Sequence, residues 1–316
     1  MTVNPQAQVL LDAAAKAEAE GVPTPQELGP VGLRDVFKQT RGALTPDAPD
    51  VGYVEDLSIT GPNGEIPIRY YRPKGSDEKI ALPLLLYYHG GGWMVGDIET
   101  HDVICRTLAN RGGFAVANVD YRLAPENKFP AAVEDSWATV EWAKGGAGGL
   151  KIDSNRVALG GDSAGGNISA VLALMARDSG IELSFQALIY PATHFSLETE
   201  SHHKFGEGYL LTRDAQFWYH EMYLRSDEDR DDWWASPALA ENFAGVAPAF
   251  VLTCGYDPLV DEGKAYADKL EAAGVPVEYH CYEGQVHGFI TMGKAIDEAN
   301  DAVDEVADKV AASFAG

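Results

Sequence analysis

The sequence predicts an α/β fold, a mostly parallel central sheet covered by helices on both faces. Two observations carry this. Strand-like apolar runs alternate with helical segments through most of the 316 residues, and that rhythm implies parallel strands joined by helical crossovers. Runs such as Leu82 to Tyr88 are continuously apolar rather than alternating, as strands buried on both faces must be.

Taken in order, residues 1–48 read as a helix and then a loose segment. Val9, Leu10 and Ala13 share a helical face, and Pro23, Pro25, Pro30, Pro46 and Pro49 punctuate the residues after that helix. From Tyr53 to Tyr71 the pattern alternates about Gly61-Pro62-Asn63-Gly64, a hairpin signal. The strand at Leu82 to Tyr88 leads to a helix over His101 to Asn110, a strand at Phe114 to Val119 and a helix from Pro130 to Lys144. Next come a glycine-rich loop, a strand at Arg156 to Gly160, a helix from Ile168 and a strand at Phe185 to Tyr190. Residues 194–235 break the rhythm with aromatics and the acidic run Asp227 to Asp232, and read as a helical insertion. The rhythm resumes with a strand at Ala249 to Thr253, a helix at Asp261 to Ala273 and a strand at Val277 to Tyr282. Ile296, Val303, Val306, Val310 and Phe314 then mark one face of a last helix.

Composition narrows the partners. The chain carries 48 acidic and 24 basic residues, a net charge of −24. Nucleic acid and anionic membrane surfaces need positive charge, so neither is expected as a partner; the acidity reads as solubility. Three cysteines in no Cys-x-x-Cys spacing indicate neither a disulfide framework nor a zinc site. The first twenty residues lack a basic and an apolar signal region, and no run of about 18 apolar residues exists to span a bilayer. A cytoplasmic location is expected.

The chemistry centres on Gly161-Asp162-Ser163-Ala164-Gly165-Gly166-Asn167, between the strand ending at Gly160 and the helix after it. A strand that enters a helix through a one-residue turn leaves its serine at the apex. That is the nucleophile elbow of α/β-hydrolases. A serine hydroxyl needs a base to take its proton and an acid to orient the base, in the chain order Ser, Asp or Glu, His. His280 lies within a strand-like run, whereas His287 falls in a loop after one, where a base can reach a nucleophile. Asp257 sits at the end of the preceding strand, with Asp261 as the nearest alternative. The run His89-Gly90-Gly91-Gly92-Trp93 directly follows a strand. Backbone free of side chains can aim N–H groups at an ester oxygen as it becomes negative, joined by the N–H of Ala164 at a helix N-terminus. A base acts only when neutral, so the rate is expected to rise as the imidazole deprotonates.

Other patterns are decoys. Ser201-His202-His203-Lys204 fits Ser-x-x-Lys without the rest of that signature. His220-Glu221 begins a zincin pattern, but Leu224 stands in place of the second histidine. Asn167-Ile168-Ser169 fits a glycosylation site on a helix expected to be buried.

The pieces together resemble the hormone-sensitive-lipase-like esterases, bacterial family IV, of the α/β-hydrolase superfamily. They are His89-Gly90-Gly91-Gly92-Trp93, Tyr121-Arg122-Leu123-Ala124-Pro125-Glu126, Phe129-Pro130-Ala131-Ala132, Gly161-Asp162-Ser163-Ala164-Gly165-Gly166, Asp257-Pro258-Leu259 and His287-Gly288-Phe289. Asp162 before the serine resembles the subgroup with Asp rather than Thr there. The resemblance implies Ser163 as nucleophile, Asp257 as orienting acid, His287 as base, and Gly91, Gly92 and Ala164 as oxyanion donors. It implies structural roles for His89, Tyr121, Arg122 and Glu126. It implies a helical cap from residues 1–48 and 194–235, on a catalytic domain of residues 49–193 and 236–316. Trp93, Phe205, Tyr209 and Phe289 are expected to line an apolar acyl pocket. The implied activity is hydrolysis of short- to medium-chain acyl esters, without metal or organic cofactor, by a chain whose relatives are often homodimers. A lactonase, amidase or acyltransferase could use the same triad. A ligand-binding protein on this fold would have lost the base, which this chain retains.

Overall fold

A computed structural model of the chain describes residues 2–315. Its eight strands form one sheet. They are β1 (Tyr53–Gly61), β2 (Gly64–Arg72), β3 (Leu82–Tyr88), β4 (Ala115–Val119), β5 (Ile152–Asp162), β6 (Phe185–Ile189), β7 (Ala249–Tyr256) and β8 (Val277–Val286). Their order across the sheet is β1-β2-β4-β3-β5-β6-β7-β8. The β1–β2 hairpin and its pairing to β4 are antiparallel, and every other pair is parallel. The hairpin closes at Gly61 opposite Gly64, so Pro62-Asn63 is its two-residue turn.

The helices are α1 (Pro5–Ala19), α2 (Pro25–Leu44), α3 (Asp102–Gly112), α4 (Ala131–Lys144), α5 (Ala164–Asp178), α6 (Glu200–Phe205), α7 (Arg213–Tyr223), α8 (Val260–Ala272) and α9 (Asp297–Ala315). Strand residues alternate between two cores because successive side chains leave opposite faces. Leu84, Leu86 and Tyr88 of β3 pack with α4, α5 and α8, among them Val133, Ile168, Leu172 and Leu270. Leu85 and Tyr87 pack on the other face with α3 and α9, through Leu108, Val306 and Val310.

One expectation is overturned. The proline-punctuated stretch after α1 is not loose but a second helix of 20 residues. Pro25 occupies its first turn, where a missing N–H costs nothing, behind a Thr24/Glu27 capping box. Pro30 is accommodated by a kink at Gly29, whose φ is 65°. α2 packs onto α7 through Leu33, Phe37, Trp218, Tyr219 and Met222. Arg34 fastens it below by donating to Glu126 Oε2 at 2.6 Å and to the carbonyls of Met94 at 2.9 Å and Ala124 at 2.8 Å. No helix of the described residues is long and apolar enough to cross a membrane.

Candidate active site

Ser163 stands between β5 and α5 with φ 55° and ψ −115°, a backbone conformation that side-chain-bearing residues rarely adopt. The turn is held by its N–H donating to Ile189 O at 2.8 Å and its carbonyl accepting from Asn167 N at 2.9 Å. The flanking glycines are required by close approach: a Cβ on Gly161 or Gly165 would strike the carbonyl oxygen of Tyr88.

The structure brings the three predicted polar residues together. His287 Nε2 lies 2.8 Å from Ser163 Oγ, and His287 Nδ1 lies 2.7 Å from Asp257 Oδ2. The second oxygen of Asp257 accepts from Leu259 N at 2.8 Å, so the fully buried carboxylate is fixed at both ends. With Nδ1 donating to Asp257, Nε2 is free to accept the serine proton. The alternatives stand elsewhere. Asp261 accepts from Ser201 N at 2.8 Å, and His280 pairs with Glu305 at 2.7 Å.

Gly91, Gly92 and Trp93 have φ of 126°, 58° and 57°. This left-handed run folds the loop into a turn in which Gly91 O accepts from Met94 N at 3.1 Å and Val95 N at 3.0 Å. Among the described residues, the N–H groups of Gly91, Gly92 and Ala164 donate to no protein acceptor. They are free for a ligand oxygen beside Ser163.

Asp162 anchors this loop. Its Oδ1 accepts from Gly90 N and Tyr87 Oη, each at 3.0 Å, and faces His101 Nε2 at 3.2 Å. Burial alone would raise this carboxyl, but His101, Tyr87 and Gly90 outweigh it and bring it down to about 2. Asp162→Asn keeps the side-chain size but removes the charge facing His101. It is expected to lower kcat by about 10²–10³, the loss seen when one oxyanion donor is misplaced. A kcat equal to that of wild type in steady-state assays would show that the loop does not depend on the carboxylate.

The outer motif residues are structural. Tyr121 stacks on His89 at 4.3 Å and donates to its carbonyl at 2.7 Å. Arg122 grips Asp135 with two 2.8 Å bonds. Sequence reasoning missed His101, which begins α3 in no local motif and meets Asp162 only through the fold.

The site opens into a cavity of about 620 Å³ whose wall includes Ser163, His287, Gly91, Gly92 and Trp93. α1 and α2 contribute Leu10, Leu33 and Phe37, and α7 contributes Gln216, Tyr219 and His220. Trp93 therefore stands where it was expected, stacked on Tyr223 at 4.5 Å. Phe205, Tyr209 and Phe289 do not. Phe205 and Tyr209 pack edge to face at 5.4 Å and both rest on Tyr256, which leaves Leu210 and Leu211 to face the cavity. Gly288, at φ 81°, turns the chain so that Phe289 enters the core between Tyr190 and Tyr282. Two of the decoys are accounted for as well. Ser201 Oγ donates to Pro258 O at 2.6 Å, and the Asn167 amide is buried, donating to Ala192 O at 2.8 Å and Ala235 O at 2.7 Å.

Two imidazoles are held neutral. Burial pushes His89 down to about 4, helped by His101, and His220 down to about 3, helped by Arg230. From the ordinary value of 6.5 down to these values, the unfolded chain binds more protons than the folded one. Stability therefore falls as pH falls through that window. Glu262 acts oppositely: burial pushes it up from 4.5 to about 8, so its burden on the fold grows as pH rises between those values. His220→Phe, which can keep the ring contact made with Phe195 at 4.2 Å, is expected to flatten the fall of Tm between about pH 6.5 and 4. An unaltered slope would refute this.

Residues 85–291 match the family described as alpha/beta hydrolase fold. The chain belongs to the alpha/beta hydrolase family. The motif resemblance to its hormone-sensitive-lipase-like esterases holds. This alpha/beta hydrolase is 36% identical over 307 residues to an ethyl acetate hydrolase of Pseudomonas putida, covering 96% of each chain. It is 48% identical over 249 residues to carboxylic ester hydrolase LipN of Mycobacterium tuberculosis, covering 76% of this chain and 65% of LipN. Among solved structures, an ester-hydrolase from the metagenome of Lake Arreo superposes with a TM-score of 0.96 at 42% identity, over 100% of both chains.

Proposed function

We propose that this hydrolase cleaves short- to medium-chain acyl esters by an acyl-enzyme route in which Ser163 is the nucleophile, His287 the base and Asp257 the orienting acid. The observation that carries the reading is the unbroken Ser163–His287–Asp257 chain of hydrogen bonds beside three unpartnered N–H groups. The chain is a carboxylic ester hydrolase. His287 Nε2 takes the Ser163 proton as Oγ attacks the ester carbon, and the carbonyl oxygen becomes negative among the N–H groups of Gly91, Gly92 and Ala164. His287 then returns the proton to the departing alcohol oxygen. Water, deprotonated by the same nitrogen, attacks the acyl-Ser163 ester and releases the acid. No step calls for a metal or organic cofactor.

A cavity of about 620 Å³ lies in the range that holds small organic ligands, which supports a small ester as substrate. Residues 1–48 and 194–235 form the cap in this reading, since helices from both segments wall the cavity. Free thiols at Cys105, Cys254 and Cys281 support a reducing, cytoplasmic location. A homodimer is the assembly we favour, on family resemblance, and light scattering tests it.

Hydrolysis of p-nitrophenyl esters from acetate to palmitate tests the substrate reading. A short-chain optimum is expected. An optimum at palmitate, or turnover of lactones or amides in place of these esters, would overturn it.

A further inference from the structure

Among the described residues, one arginine in the cavity wall has no carboxylate within ion-pair distance. Of the twelve arginines, ten stand within 4 Å of a carboxylate. Arg72 lacks one among the described residues but donates to the carbonyls of Asp77, Ile80 and Lys151. Arg41 has no such carboxylate among the described residues and bonds a single carbonyl. Its Nη1 donates to Gly288 O at 3.2 Å, its guanidinium lies 4.9 Å over the Phe37 ring, and its other donors find no protein acceptor among the described residues. It is half-buried and lines the cavity among Phe37, Leu44 and Met292. In a chain with 48 acidic residues, a half-buried guanidinium with no carboxylate beside it departs from the pairing of the arginines away from the cavity. Asp162 acts on it only through space and is itself engaged by His101, Tyr87 and Gly90.

We propose that Arg41 is an anion subsite and that this hydrolase accepts esters whose alcohol half carries a carboxylate, such as O-acyl hydroxy acids. The proposal rests on the esterase mechanism above. The half follows from position. The departing alcohol oxygen takes its proton from His287 Nε2, and Arg41 is bonded to the carbonyl of the next residue, Gly288. A carboxylate on the alcohol half would lie toward the His287–Gly288 wall of the cavity, where the guanidinium's fork of N–H donors suits a planar carboxylate. The net charge of −24 repels anions at long range, so the subsite works by contact and not by steering.

The test compares kcat/KM for 3-acetoxybutyrate and its neutral amide, 3-acetoxybutyramide. A second arm compares monoethyl adipate, charged on the acyl half, with its monoamide. Wild type is expected to favour 3-acetoxybutyrate by about tenfold or more, as charge-assisted hydrogen bonds do. Arg41→Gln should bring that ratio to about one, and Arg41→Lys should restore part of it. Unchanged far-UV circular dichroism and Tm would confirm that the variants are folded. A wild-type ratio at or below one in both arms, or a ratio unaltered by Arg41→Gln, overturns the proposal. A preference confined to monoethyl adipate overturns the placement on the alcohol half. Hydrolysis of the neutral amides by wild type reports the esterase reading separately. Should that fail, calorimetric titration of Ser163→Ala protein with 3-acetoxybutyrate, with and without Arg41→Gln, decides the subsite, and equal affinities refute it.

Discussion

Ser163→Ala is expected to lower kcat for p-nitrophenyl butyrate by about 10⁴ or more while the protein remains folded. Alanine supplies the same Cβ at φ 55°, so the turn and its bond to Ile189 O survive. What disappears is the atom 2.8 Å from His287 Nε2 that attacks the ester. The free N–H groups and the cavity persist, so substrate should still bind, and residual turnover should reflect only the oxyanion donors and positioning. The check is kcat and KM for both proteins, with Tm as the control for folding. A variant retaining a tenth of wild-type activity would move the chemistry away from this serine.

Asp257→Asn should cost nearly as much, about 10⁴ in kcat, for a different reason. The carboxylate accepts from His287 Nδ1 at 2.7 Å and from Leu259 N at 2.8 Å. An amide can keep its oxygen toward Leu259, which turns its NH₂ toward His287. The imidazole then accepts at Nδ1 and carries its proton on Nε2, where it cannot take one from Ser163. Geometry changes little while the tautomer is inverted, so KM should move far less than kcat. Retention of kcat within about tenfold of wild type would show that Asp257 does not set the tautomer.

Much of this site was legible because its signals are local. The strand at Leu82 to Tyr88 has those same limits in the structure. The elbow is written in five consecutive residues because a Cβ at Gly161 or Gly165 would collide with a neighbouring backbone. His287 follows β8 directly, although β8 runs to Val286, beyond the expected end at Tyr282. There Glu283 and Gln285 break the apolar pattern on an edge strand. The features that escaped the sequence depend on the tertiary fold. α2 was hidden by prolines that act at its first turn and beside a kink rather than as breakers. His101 and Arg41 matter through Asp162 and Gly288, far away in sequence. The aromatics assigned to the pocket were chosen by type, and type does not tell which way a side chain leaves the backbone. Gly288 sends Phe289 into the core, and Leu210 takes the place expected for Tyr209.

The central claim is that an acyl group passes through Ser163 Oγ. The most direct measurement is the intact and peptide mass of enzyme quenched in acid during turnover of p-nitrophenyl butyrate. The account predicts a fraction heavier by one butyryl group, located on the peptide that contains Ser163 and absent from Ser163→Ala protein. A butyryl group on another residue, or hydrolysis at full rate with no acyl-enzyme at the shortest quench times, would contradict it.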